Sequence, residues 1–421
     1  MLPNAPLPAS VQVAIIGGGI IGATTALELA ERGISVVLLE KGAIAGEQSS
    51  RNWGWVRCMG RDVRELGLAL RSRELWQNMA KRVGRDVGYR QPGIAYVAAS
   101  DTESAKLAKT AAELKSHGIS HEWIERPALS NRFPTLNPQR FQSALYCPED
   151  GCAEPSIATQ AIAEQAQRRG AYVLSQTAAR GLEWNGGRIS AVYTERGTVR
   201  CETVLVAAGA WTRLFLGRHG IDFTQLYIRS SVARLVHAQT MPNAIIGGSD
   251  FSFRRRHDGG YTVAIRNSND VYLTIEHLFQ AHRFLKTLPH YWKDLRFHID
   301  KTFIEDLQIP RNWRADEITP FEKMRINPSL TSRSFSTRIL KQIVAAAPAF
   351  AGASLTHTWS GIIDVTPQAL PVISPISQIP GVYVASGFSG HGFGIGPAVG
   401  ELLAEKILGT ESKIDATPFA Y

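Results

Sequence analysis

The chain reads as α/β with a second, α+β domain added to it. Residues 11–16 form a β-branched run that breaks into a glycine-rich turn and then an apolar repeat at helical spacing. A second strand, turn and helix of the same kind stands near residues 382–408, and short, spaced strands occupy much of the interval. At 421 residues the chain exceeds one ordinary domain, so two interleaved domains are expected. Hydrophobic residues make up 44% and charged residues 20%, which excludes disorder, collagen-like repeats and a disulfide scaffold.

Four cysteines, Cys58, Cys147, Cys152 and Cys201, form no CxxC pair and have no histidine at zinc spacing, so no metal is expected. The 46 Lys plus Arg against 37 Asp plus Glu leave a net charge of +9, which favours an anionic substrate, an acidic membrane surface or nucleic acid without choosing among them. The N-terminal stretch lacks a basic segment leading into a long apolar core, and no run reaches the roughly 18 apolar residues of a membrane span. A soluble cytoplasmic protein is expected, with peripheral attachment to the inner face of a membrane left open.

Along the chain, Val11, Val13, Ile15 and Ile16 give the first strand, and Gly17-Gly18-Gly19-Ile20-Ile21-Gly22 gives the turn. Ala23, Ala26, Leu27 and Ala30 then mark a helix that ends at Gly33. Gly17 permits the turn, Gly19 lets backbone N–H groups approach a pyrophosphate, and Gly22 lets the helix pack close, its positive end facing the phosphates. The strand at residues 35–39 closes at Glu40, 21 residues after Gly19, with Lys41 beside it. An acid there is placed to accept hydrogen bonds from both hydroxyls of an adenosine ribose and argues against a 2′-phosphate. The expected ligand is FAD or NAD, not NADP. Residues 46–57 are polar and glycine-flanked, and Ser49, Ser50, Arg51, Asn52, Trp53 and Gly54 among them suit the wrapping of a long extended cofactor.

Here the sequence resembles the FAD-dependent amine and amino-acid oxidoreductase family of D-amino acid oxidase, glycine oxidase, monomeric sarcosine oxidase, and γ-glutamylputrescine and pipecolate oxidoreductases. Three further stretches share the resemblance. Residues 203–212, TVLVAAGAWT, contain Ala208, Gly209 and Trp211; residues 359–372 carry the W-x-G…T-P…P-V pattern with Gly361; and residues 381–400 contain Gly387, Gly390, His391, Gly392, Phe393 and Gly394. The resemblance spans the chain and implies FAD. The family's sarcosine oxidases bind flavin covalently through a cysteine just before the Thr-Pro, and no cysteine follows Cys201, so the FAD is expected to be noncovalent. In the last loop Pro397 suits the first turn of a helix running through Leu408. The positive start of that helix would stabilise the negative charge that reduction puts on the flavin's pyrimidine end.

Because these motifs fall at both ends and in the middle, the FAD-binding domain is expected to be discontinuous, over 1–85, 150–226 and 350–421, and Rossmann-like. Residues 86–149 and 227–349 make the substrate domain, built on an antiparallel sheet. Residues 156–169 are expected to form a helix feeding a strand at 171–174, and residues 89–97, 227–236 and 261–266 to form strands of the substrate-facing sheet. Residues 275–299, rich in Leu, Phe and His at helical spacing, are expected to cover it.

Flavin-dependent amine oxidation needs a C–H bond held over the flavin and an amine free of its proton, and no strong base. Arg57, after Trp53 and Trp55, resembles the active-site-loop arginine of sarcosine oxidases and is placed to bind a substrate carboxylate bidentately, the alternatives being a surface position or a flavin-phosphate contact. Trp53 and Trp55 either wall a cavity or fill a core, and Tyr261 and Arg266 are further pocket candidates from one strand. Relative to the family, Ile363 stands where D-amino acid and glycine oxidases have their carboxylate-binding arginine, and Gly394 stands where sarcosine oxidases carry a lysine. The strand at 261–266 also lacks their oxygen-activating lysine. Residues 361–367 look more like the γ-glutamylputrescine and pipecolate branch, so a secondary or N-substituted amine or amino acid is the expected substrate, with dioxygen or a quinone-like acceptor. Two alternatives stay open: a flavin subunit passing electrons to a partner or quinone, and an oxidase of a modified tRNA base. Against the second, Arg254-Arg255-Arg256 is the sole tight basic cluster, so nucleic acid is not an expected partner.

Overall fold

Side-chain alternation in the first strand decides the layering. Val13 and Ile15 pack into one apolar cluster and Ala14 and Ile16 into another, so both faces of that strand are buried, as in a parallel sheet covered on both sides. The computed structural model describes residues 6–237, 243–332 and 334–421. Its first sheet has eight strands. Ser10–Ile16 lies between Val36–Leu39 and the second half of Gly197–Val206, both parallel to it. Tyr172–Leu174 continues the sheet beyond Val36–Leu39, and Val382–Ser386 continues it beyond Gly197–Val206, again parallel. The first half of Gly197–Val206 belongs to an antiparallel meander with Arg188–Thr194 and Ala179–Asn185.

Four helices, Ile20–Glu31, Leu66–Val83, Pro155–Arg168 and Gly392–Leu408, cover one face of that sheet. The first and last lie in close contact because small residues meet there: a Cβ on Gly400 would stand 2.7 Å from the Thr24 side chain, and Thr24 Oγ1 donates to the Gly396 carbonyl at 3.0 Å. Pro397 is not in the first turn, as its sequence position led us to expect; the helix begins five residues earlier at Gly392. Neighbouring side chains brace the turn before this interior proline, with Ser72 Oγ and Trp76 Nε1 donating to the Gly394 carbonyl at 2.8 and 3.0 Å.

The second sheet has ten strands. Its spine is Leu226–Val236, paired antiparallel along its length with Ser354–Val365 and on the other side with Tyr261–Ala264. Ser354–Val365 thus belongs to this sheet although it falls inside the 350–421 segment. Strand Ile94–Ala98 starts later than residue 89 because Pro92 and the positive-φ Gly93 precede it. One face of the sheet packs on the amphipathic helix Phe335–Ala346. Residues 275–299 do not form the single covering helix expected of them. Helix Ile275–Phe284 stops, a short helical turn begins at Leu288 with Pro289, and Leu295–His298 becomes an edge strand parallel to Asn269–Tyr272. Proline without an N–H cannot continue the helix, and helical periodicity alone does not register that break.

Candidate functional site

The first strand ends at a cradle that only glycine fits. Gly17 has φ +114°, and a Cβ there would stand 2.3 Å from the Ala207 carbonyl oxygen; a Cβ on Gly22 would stand 2.0 Å from the Gly17 oxygen. The chain therefore turns tightly enough to aim the start of helix Ile20–Glu31 along the carboxyl ends of the strands. There a cavity holding about 1210 Å³ of atom-free space runs from Leu39 and Glu40, past Gly17, Gly19, Ile20, Ile21, Ser49, Ala208, Gly209 and Trp211, to Gly390, Gly392 and Phe393. Glu40 is buried. Its two carboxylate oxygens accept from the Gly18 and Gly42 N–H groups at 2.7 Å each, leaving lone pairs for a diol. Burial pushes its carboxyl pKa up against those two donors.

Lys41, a cofactor candidate from the sequence, shapes the trough without reaching a ligand, and Glu47 and Asp364, which the sequence did not single out, shape it too. Lys41 spends its three donors on Glu47 and on the Met324 and Arg325 carbonyls, so it fastens residues 324–327 over the trough and has none left for a ligand. Glu47 also takes the Trp211 indole N–H at 3.0 Å and the Asn327 N–H at 2.8 Å. Asp364 Oδ2 accepts from Gly387 N, Ser386 Oγ and Gln225 Nε2, fixing the entry to the glycine loop. A lone acid in a β-rich stretch gives no local signal of such long-range roles. Gln48 Oε1 is buried without a partner where the trough ends. An extended dinucleotide with polar groups at both ends fits this donor set: a diol at Glu40, phosphates at the first helix start, and a ring system at the loop before Gly392.

A second cavity, about 1680 Å³ of atom-free space, adjoins the first through Gln48, Asn52, Gly390 and Phe393. Trp55, Tyr96, Ile228, Ile265 and Ile363 make it largely apolar. Four arginines line it, Arg51 beside Asn327 and then Arg57, Arg61 and Arg266. The last three face one another. The Arg266 guanidinium lies 4.2 Å from the Tyr96 ring centroid and the Arg57 guanidinium 5.9 Å from it. Arg266 donates to the Gly248 carbonyl at 3.2 Å, Arg57 to the Met59 carbonyl, and Arg61 to the His391 and Arg57 carbonyls at 3.4 and 3.5 Å. Arg61 Nη1 is buried with no partner. No carboxylate stands within ion-pair distance of Arg57, Arg61 or Arg266 among the described residues; Glu65 acts on Arg57 and Arg61, and Asp294 on Arg266, from further away. Burial and the neighbouring Arg57 push the Arg61 pKa down to about 10, and burial lowers that of Arg266. The loop bearing Arg57 and Arg61 is held by buried Asp150, which accepts from Cys58 N and Met59 N at 2.8 and 3.1 Å. His391 Nδ1 lies 3.1 Å from Glu65 Oε2; burial and Arg61 lower the imidazole pKa.

A protein-family model described as DAO, FAD dependent oxidoreductase, matches residues 12–406. The chain belongs to that family. Among curated relatives it is 25% identical to the sarcosine oxidase subunit beta of Arthrobacter sp over 98% of this chain and 90% of that one. It is also 25% identical to the 4-methylaminobutanoate oxidase (formaldehyde-forming) of Paenarthrobacter nicotinovorans, over 98% of this chain but 45% of that protein. The chain thus spans under half the length of that relative and of several other curated relatives. Among solved structures, L-amino acid deaminase from Proteus vulgaris superposes with a TM-score of 0.93 at 30% identity, covering 99% of this chain and 98% of that one. The Proteus myxofaciens enzyme in complex with anthranilate gives 0.95 at 28%, covering 100% and 95%.

In this FAD-dependent oxidoreductase Arg57 and Arg266 meet on one aromatic ring, as two of the three pocket candidates. Tyr261 is a correction. Five residues from Arg266, it faces the opposite side of the sheet, buried in the apolar cluster with its ring 5.0 Å from that of Phe350. Trp53 and Trp55 pack edge-to-face at 5.3 Å and both line the second cavity, as do Arg51, Gly54, His391 and Gly394. Arg51 donates to the Asn327 carbonyl at 2.7 Å. Gly22, Ser50, Gly361 and Gly387 shape the walls without lining them; the Ser50 hydroxyl bonds to the Glu47 carbonyl. At Gly394 a Cβ would stand 2.7 Å from the Trp55 carbonyl oxygen, so the lysine of sarcosine oxidases has no room here.

Proposed function

We propose that the protein oxidises a carboxylate-bearing amine, an amino acid or its N-substituted derivative, to an imine that water hydrolyses. The observation that carries this reading is the set of three guanidiniums without an acidic partner, facing an apolar cavity that opens on the glycine loop. Residues of the first cavity, Glu40 and the glycine turn at residues 17–22 among them, would hold FAD, which would supply the acceptor for a hydride from the carbon bearing the nitrogen. Arg57 and Arg266 hold the substrate carboxylate from the Tyr96 side and take the place of the clamp that Ile363 removes. Trp55 and Tyr96 exclude water from that contact. The positive start of helix Gly392–Leu408 lies at the junction of the two cavities, where it stabilises negative charge. Relatives agree in class: dimethylglycine dehydrogenase, sarcosine dehydrogenase and L-amino acid deaminase.

A polyanionic tRNA substrate is disfavoured, because Arg254, the centre of expected basic character, is fully buried and paired with Glu154 at 2.7 Å. The reading divides the chain into a discontinuous FAD domain and a substrate domain, with the strand Ser354–Val365 transferred to the latter. It keeps the protein at the cytoplasmic side with dioxygen or a quinone-like electron acceptor.

The test is anaerobic bleaching of the oxidised-flavin absorbance by a panel of amines. Carboxylate-bearing secondary and bulky primary amines should reduce the flavin, with a primary deuterium effect at the reacting carbon and a rate that rises with pH as the substrate amine loses its proton. Equal reduction by decarboxylated analogues, or faster reduction by D-alanine than by pipecolate, would sink the carboxylate or the N-substituted part respectively.

A further inference from the structure

An amine must lose its ammonium proton before its carbon can give up a hydride, and the second cavity offers few groups able to take that proton. Of the titratable side chains that line it among the described residues, four are arginines, and Tyr96 and Tyr291 already carry their protons. Asp294 acts on Arg266 and so stands on the side where the substrate carboxylate is held. His391 is the remaining group. It lies between Gly390 and Gly392, which both line the cofactor trough, yet His391 lines only the substrate cavity.

Its Nδ1 is 3.1 Å from Oε2 of Glu65, whose side chain is fully buried. Burial raises the Glu65 carboxyl pKa, but the hydrogen bond to His391 and the charges of His391, Arg61 and Arg57 outweigh it and hold that pKa below its usual value. A carboxylate only accepts, so the proton of the neutral ring sits on Nδ1 and the lone pair on Nε2. Nε2 has no hydrogen-bond partner among the described residues, and a quarter of the side chain, 26%, is exposed. The charged groups around the ring are Glu65, Asp62, Arg61 and Arg57; burial and Arg61 disfavour the protonated ring, which leaves it ready to accept. We propose that His391 Nε2 takes the ammonium proton of the substrate and that Glu65 holds the ring in the accepting tautomer, an inference that rests on the amine-oxidation reading above. The N–H bond breaks, an Nε2–H bond forms, and the electron pair stays on the substrate nitrogen. That pair becomes the second C–N bond as the hydrogen on carbon leaves with its two electrons for FAD. Glu65 balances the imidazolium charge until water takes the proton.

The test is the pH dependence of anaerobic flavin bleaching at saturating amine, in the FAD-loaded wild type, His391→Asn and Glu65→Gln. Asparagine suits a helix N-cap, so the start of helix Gly392–Leu408 is kept. In His391→Asn, bleaching near neutral pH should fall by roughly 100-fold and recover at alkaline pH, where the amine arrives without its proton. Benzoate, a carboxylate with no amine, should perturb the flavin absorbance of this variant as it does the wild type. In Glu65→Gln the amide can donate to Nδ1, which moves the ring proton to Nε2; the rate near neutral pH should fall too, and NMR of isotope-labelled histidine should show the exchanged tautomer. A loss in His391→Asn that is equal at every pH would reduce the ring to a structural role and overturn the inference. An unmoved profile, or a wild-type ring with its proton on Nε2, would overturn it as well while leaving the amine-oxidation reading intact. Bleaching by no amine at all would overturn both.

Discussion

Arg61 carries the least compensated charge of the site. It is buried, repelled by Arg57, and one of its terminal nitrogens has no acceptor. Arg61→Met should therefore stabilise the substrate-free protein by on the order of 1 kcal/mol in urea unfolding while raising KM for a carboxylate substrate. Loss on both measures would mean that the guanidinium serves the fold. Arg57→Ala should cost a few kcal/mol in kcat/KM, about 100-fold or more, with flavin content unchanged. Flavin loss in parallel would make Arg57 a cofactor residue. Gly394→Lys should fail to create a sarcosine-oxidase-like site and should lower flavin retention on gel filtration, because Trp55 and the helix start must move apart to admit it. At this scale the sequence disclosed residues whose roles are local. Gly17, Gly19 and Glu40 lie within one strand-turn-helix-strand unit, and Arg57 follows it directly. Asp150, Asp364 and Glu47 act on backbone far away in the chain, and nothing in their neighbourhoods announces it.

Elements were legible where one periodicity held to the end. Helix Ile20–Glu31 and strand Leu226–Val236 fell within a residue or two of their expected bounds, as did helix Pro155–Arg168. Tyr261 misled because a five-residue spacing reverses faces on a strand, and the 275–299 run misled because its apolar residues serve two surfaces at once. The meander that follows Tyr172–Leu174 supplies a pH-dependent contact. His219 Nε2 accepts the Leu182 N–H at 3.2 Å, and burial lowers the imidazole pKa from 6.5 to about 4. Protonation is thus taken up by the unfolded chain and refused by the folded one. The contribution is intact above pH 6.5 and is lost as pH falls toward 4, amounting to on the order of 2 kcal/mol at the acid end. Denaturant titrations across that range should show the loss, and His219→Gln should flatten it. An unchanged slope in the variant would place the acid sensitivity elsewhere.

For the whole molecule, the absence of a cysteine after Cys201 predicts that acid precipitation leaves the yellow colour of FAD in the supernatant; colour in the pellet would indicate a covalent bond. The two-sheet architecture was legible in outline because the phosphate-binding motif fixes the class of one half, whereas the partition of Ser354–Val365 depended on strand pairing, which no single-strand pattern encodes. The contact between Thr24 and the Gly396 carbonyl joins residues 372 positions apart. During synthesis the first helix leaves the ribosome long before the last one exists. The trough it opens is therefore one-sided for most of translation, and its apolar face must wait for the C-terminal helix to be made. Contacts of that sequence separation form slowly. FAD should accordingly load after translation of residues 392–408, and a fragment ending before them should neither retain flavin nor resist protease, however complete its glycine turn.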